Sequence, residues 1–119
     1  MAEGVQGPGR LEHASAMNYL VKFDGLPWES PMAGVREKRH QVGDRVLRLV
    51  EYGRELVPHW CSKGHVGHIV AGTLEIEFAS GPIAFEAGDA LFIPSGTEHA
   101  HRAVPKTPVV TALFVEDVG

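Results

Sequence analysis

Thiols are almost absent from this chain. Among its 119 residues there is one cysteine, Cys61. A single thiol closes no internal disulfide, so the chain fits a reducing compartment and does not belong with disulfide-stapled secreted domains. Long apolar runs are missing too. "VVTALFV" (109–115) is far too short to cross a bilayer. The opening "MAEGVQGPGRLEHASAM" lacks the basic-then-apolar order of a secretory signal, which points to a cytoplasmic protein. Positive charge is scarce as well: 11 Lys and Arg stand against 15 Asp and Glu, a net charge of −4. That balance argues against a nucleic-acid or membrane partner. The one basic cluster, "VREKRH" (35–40), reads equally well as a solvated edge strand. Helical patterning is also lacking, since no window carries an apolar stripe of period 3.6.

What remains is punctuation. Glycines at 43, 53, 64, 67, 72, 81, 88 and 96 cut the chain into short apolar runs. "TLEIEF" (73–78) alternates strictly, with Leu74, Ile76 and Phe78 on one face. "ASGP" (79–82) is a hairpin turn into "IAFEAG", and "DRVLRLVEY", "DALFIP" and "VVTALFVED" read as further strands. Short strands spaced by about 8–12 residues predict an all-β sandwich or barrel. Residues 1–17 show no period and read as a loose tail, leaving 18–119 as one domain. Trp28, between Pro27 and Pro31, predicts a lid or an edge packed on the main body.

Histidine is the residue that is plentiful for its place. "PHWCSKGHVGH" (58–68) holds three histidines and the cysteine. Two spacings stand out. The first runs Gly53, five residues, His59, one residue, Cys61, three residues, His65, six residues, Gly72. The second runs Gly88, five residues, Pro94-Ser95-Gly96, two residues, His99. Together they resemble the two signature motifs of the cupin superfamily, over residues 53–103. The second differs only at its last position, where Ala103 stands for Asn. The first departs further: Cys61 occupies the second histidine position and His65 the glutamate position.

The resemblance implies a double-stranded β-helix, or jelly roll, with a divalent transition metal (Fe, Zn, Ni, Mn or Cu) in its wider mouth. Its ligands by motif position are His59, His65 and His99, with Cys61 and His101 as further candidates. His101 lies two residues beyond His99, on the same face of a strand. An all-imidazole set leaves the metal its full charge and favours an anionic substrate such as a carboxylate or enolate. His68 and Glu98 are candidate acid–base residues, although His68 is an odd number of residues from His65 and should face the other way. Arg36, Arg45 and Arg48 are candidates for an anionic substrate, with solvated outer faces as their bland alternative. No nucleotide-binding loop or nucleophile elbow is present. The expected function is a metal-dependent enzyme of dioxygenase, isomerase or lyase type on a small oxygenated or carboxylate metabolite. The alternatives are a non-enzymatic cupin that senses or stores a metal or small ligand, a closed four-ligand zinc site, and a metal-free scaffold. The resemblance also implies a homodimer pairing sheet edges, with Asn18–Trp28 as the exchanged segment.

Overall fold

Branched and aromatic residues in the runs between glycines form strands because their side chains pack on a half-buried pleated surface. The computed structural model describes residues 19–118; the expected tail over 1–17 lies outside them. Nine strands follow in order: β1 (Glu29–Met32), β2 (Val35–Val42), β3 (Arg45–Gly53), β4 (His65–Ala71), β5 (Thr73–Phe78), β6 (Gly81–Glu86), β7 (Ala90–Ile93), β8 (His101–Pro105) and β9 (Val109–Asp117). The described residues contain no α-helix, and no helix is long and apolar enough to cross a membrane. Among the described residues two short 3-10 turns, Phe23–Gly25 and Thr97–His99, lie between the extended segments.

The strands form two antiparallel sheets. The larger has the order β1-β2-β3-β9-β4-β7 and the smaller β6-β5-β8. Such crossing connections make the expected jelly-roll sandwich. The alternation in "TLEIEF" holds: Leu74 and Ile76 are buried and Phe78 packs against the same core. β9 spans the predicted "VVTALFVED" and buries Val110, Ala112 and Phe114. These meet Val50, Ile69 and Leu91 from the larger sheet, so one end of the interior is dry and apolar.

Two glycines set the geometry near the site. Gly96 has φ +133°, a backbone region that side chains rarely adopt, and its N–H donates to the Ser62 carbonyl at 2.9 Å. The corner after β7 is thereby tied to the segment carrying Cys61. Gly67 lies so close to β9 that a Cβ there would collide with the Leu113 carbonyl. Trp28 packs on the main body, with the Arg36 guanidinium 4.1 Å and the Lys38 ammonium 4.8 Å from its ring centre.

Candidate functional site

The apolar interior does not fill the whole sandwich. At its other end a cavity of about 330 Å³ opens between the sheets. Strand parity puts charge there. On β2, Glu37 follows buried Val35; on β3, Arg48 stands between buried Val46 and Val50; on β9, Glu116 continues the row of Val110, Ala112 and Phe114. β4 begins with His65 and β8 with His101, both lining the same cavity.

These side chains form one connected relay. Arg48 Nε donates to Glu37 Oε1 at 2.8 Å and Arg48 Nη1 to Glu116 Oε2 at 2.8 Å. His65 Nδ1 lies 2.8 Å from Glu116 Oε2. Glu37 and Glu116 are 6% and 7% exposed, so each carboxylate depends on these partners. Burial raises the Glu116 pKa, but the hydrogen bond from His65 and the nearby Arg48 charge outweigh it and hold it at about 2. Arg48 is desolvated, yet the Glu116 and Glu37 carboxylates push its pKa upward. Tyr52 also lines the cavity, and burial lifts its phenol to about 12.

The hydrogen bonds also fix the histidine tautomers. A carboxylate at Glu116 can only accept, so His65 Nδ1 carries a proton and Nε2 points elsewhere. His101 Nδ1 sits 3.0 Å from the His99 carbonyl, which also only accepts. Burial lowers the His101 pKa, against the carbonyl bond that raises it, and His65 lowers it further. His101 is therefore neutral near pH 7, with its proton on Nδ1 and a bare lone pair on Nε2. That Nε2 is buried and has no hydrogen-bond partner. The two rings meet edge to face with centroids 5.2 Å apart.

The residues expected from sequence divide as follows. His59, Cys61, His65 and His101 all line the cavity, His59 from an exposed position on its rim. Cys61 and His101 are directly paired across a two-bond backbone bridge of 2.8 and 2.9 Å, so their side chains share a face. His99 ends the Thr97–His99 turn and is not among the cavity-lining residues; its carbonyl holds His101 instead. Glu98 is exposed on the same turn, and His68 is exposed on β4, on the face opposite His65. Arg48 faces inward, which corrects its outer-face reading, because it belongs to the parity of Val46 and Val50. Arg36 and Arg45 do lie on the outer side, paired with Glu51 and Asp117. Glu37, Glu116 and Tyr52 were not foreseen. Their signal was a charged or phenolic residue placed in step with a buried apolar row.

The donor types suit a transition metal, and the bare Nε2 of His101 is an atom that a metal would satisfy. The grouping falls short: among the described residues no three His, Cys, Asp or Glu side chains stand together so as to hold a metal ion. Glu116, the buried carboxylate nearest the histidines, is already engaged by Arg48 and His65.

A family model described as "Cupin domain" matches residues 46–116, more than half of the chain. No curated protein matches it in sequence. Among solved structures, KdgF from Halomonas sp. is similar at 23% identity, over 78% of this chain and 86% of that one, with a TM-score of 0.64. A sugar phosphate isomerase of the cupin superfamily from Silicibacter pomeroyi is similar at 17% identity, over 82% and 74%, with a TM-score of 0.64. A cupin-2 domain containing protein from Shewanella frigidimarina is similar at 25% identity, over 68% and 78%, with a TM-score of 0.56. At 23% and 17% identity, the first two likenesses carry the fold and not a reaction.

Proposed function

The chain belongs to the cupin domain family, and on that premise we propose that it acts on a small anionic, oxygen-bearing metabolite by isomerase- or lyase-type proton transfer. The observation that carries this reading is the bare, buried Nε2 of His101, a residue in the wall of a cavity that is also lined by cations. Arg39, Arg48, Lys63 and Arg102 line the cavity against the two carboxylates of Glu37 and Glu116. Four cations stand over two anions; with Arg102 paired to Glu77 just outside the lining, one positive charge is left, on a chain whose net charge is −4. Such a lining draws in a carboxylate. Nε2 of His101 accepts a proton from the carbon beside the substrate's carboxyl or carbonyl group and returns it at the end of the cycle. His65, oriented by Glu116, presents a second imidazole edge to the same space.

Calorimetric titration with pyruvate, citrate and galacturonate, against glucose and glycerol as neutral probes, tests the binding half. At least one acid should bind, and the affinity should fall with added salt. Neutral probes binding as well as the acids would sink the reading. The chemical half is tested in D2O: the wild type should place deuterium beside the carboxyl or carbonyl group of the bound acid. His101→Asn should keep the binding and lose the exchange.

A metal-dependent form of this reading is favoured by the same unpartnered Nε2. Its donors are His65 and His101, completed by His59 or Cys61 from the rim, with His99 as the alternative by motif position. A bound metal would supply Lewis-acid polarisation of a substrate oxygen. Elemental analysis of protein purified without chelator, followed by Zn²⁺, Ni²⁺, Mn²⁺, Fe²⁺ and Cu²⁺ titration, decides it. His65→Ala and His101→Ala should each lower occupancy while His99→Ala leaves it unchanged. Loss on His99→Ala alone would reinstate the motif position, and no uptake at all would remove the metal.

A further inference from the structure

The wall of the cavity is not uniform. Its charged groups include Arg48, His65 and Glu116, which stand on strands of the larger sheet. Its apolar groups come mainly from two neighbouring segments. β1 supplies Pro31 and Met32, and the loop after β3 supplies Leu56 and Pro58. Register joins them into one flank. Met32 stands opposite Val35, and Val35 opposite Tyr52, and all three line the cavity. The loop is held against the turn after β1: Gly53 N–H donates to the Gly34 carbonyl at 2.8 Å, and a Cβ on Gly34 would collide with the Leu56 backbone. Arg39 and Arg48, opposite each other on β2 and β3, come four residues after Val35, about 13 Å along the strand. The cavity therefore has a charged region and an apolar flank. Proline has no N–H, so Pro31 and Pro58 offer no backbone donor. Met32 is 43% exposed, and a flexible thioether left bare in a cavity wall suits an apolar ligand group. On β8, Ala103 lines the same cavity two residues after His101, where the second motif has Asn. A methyl group stands there in place of an amide.

We propose that the substrate is an oxo acid with a single carboxylate and an apolar tail, branched aliphatic or aryl. The head lies in the charged region and the tail lies on the flank of Met32, Val35 and Leu56. This rests on the anionic head proposed above and adds the tail to it. Size supports the addition. The cavity of about 330 Å³ has the volume of about eleven water molecules at about 30 Å³ each. Pyruvate, with about six non-hydrogen atoms, would leave half of that space to water, whereas 4-methyl-2-oxopentanoate, with about nine, reaches the flank. Polarity excludes the other small acids. A sugar acid or a dicarboxylate would set hydroxyls or a second charge against methyl and methylene groups that cannot pair with them.

Calorimetric titration of the full chain with pyruvate, 2-oxobutanoate, 4-methyl-2-oxopentanoate and 2-oxoglutarate tests it, with 4-methylpentan-2-one as the tail without the head. Each carbon buried on the flank should tighten binding about fourfold. 4-Methyl-2-oxopentanoate should therefore bind at least about 30-fold more tightly than pyruvate, and 2-oxoglutarate should gain nothing from its longer chain. Met32→Ser replaces a part-exposed residue and should cut the ratio of the branched acid to pyruvate about fivefold. Leu56→Ser, with its fold checked by circular dichroism, should cut it as well. Oxo acids that all bind alike overturn the tail and leave the anionic reading standing. So does 2-oxoglutarate binding as tightly as the branched acid. A ratio that survives both substitutions overturns the placement of the tail on this flank. The neutral ketone binding as tightly as its acid, or no acid binding at all, removes the anionic head and the proposal with it.

Discussion

Along β9 the inward residues run Val110, Ala112 and Phe114, all 0–1% exposed, and then Glu116. On β4, His65 at one end faces the same interior as Ile69 at the other. The same strands therefore build two different interiors. One end is held by apolar burial, which needs no partner and tolerates no gap. The other is held by a chain of charges, each of which makes burial of the next affordable. Phe114 marks the boundary, its ring 4.9 Å from that of His65. A site with buried polar groups and fixed tautomers needs a rigid wall behind it, and the dry half supplies that wall.

The sharpest way to break the dry half is Phe114→Ala. It should cost about 3–5 kcal/mol in denaturant unfolding, because a fully buried ring leaves a cavity beside Val50 and Ile69. A loss below about 1 kcal/mol would mean that the two halves are not mechanically distinct. In the polar half the corresponding change is Arg48→Met. It keeps most of the side-chain length and removes the charge shared by Glu37 and Glu116. The expected cost is about 3 kcal/mol, at the low end for a broken buried pair because the cavity is open to water. The double variant Arg48→Met with Glu116→Gln should recover part of that loss. No recovery would show that Arg48 acts through packing and not through charge.

The difference between the halves also explains how much was legible beforehand. Alternation in "TLEIEF" and "VVTALFVED" follows from burial of one sheet face, and it needs only local sequence. The glycine corners were legible for the same reason, since the positive φ at Gly72, Gly88 and Gly96 is a local demand. The relay was not, because Glu37, Arg48 and Glu116 come from three strands that become neighbours only through the β2-β3-β9 order. His101 was half visible. Motif counting points to His99, but the Thr97–His99 turn delays the strand by two residues, and His101 is the first histidine that the strand presents inward. Arg48 looked like an outer-face residue because charge on a strand usually is; its buried neighbours Val46 and Val50 carried the contrary signal.

Acid titration separates two groups of the polar half, the His101 imidazole held by the His99 carbonyl and the Glu116 carboxylate held by His65 and Arg48. His101 has a folded pKa below its ordinary 6.5, so the unfolded chain binds its proton more readily. Its contribution to stability is complete above about pH 6.5 and is lost as pH falls below that value towards the lowered folded pKa. Glu116 is depressed from 4.5 to about 2, so its contribution is present above about pH 4.5 and is lost as pH falls from there to about 2. Unfolding midpoints measured from pH 8 to pH 2 should therefore fall in two stages. His101→Asn should flatten the upper stage and Glu116→Gln the lower. A single stage unaffected by either variant would sink this assignment.

The smallest effect belongs outside both interiors. Asp117 pairs with Arg45 at 3.2 Å, yet their side chains are 79% and 65% exposed. Water screens such a pair, and holding two long side chains together costs entropy. Asp117→Asn should change stability by less than about 0.5 kcal/mol, even though Asp117 is the immediate neighbour of Glu116. Glu116→Gln, one residue away but pointing inward, should cost clearly more at pH 7. Equal losses from the two would mean that side-chain direction along β9 does not decide which carboxylates matter, and the contrast between the wet face and the charged interior would fail at its closest point.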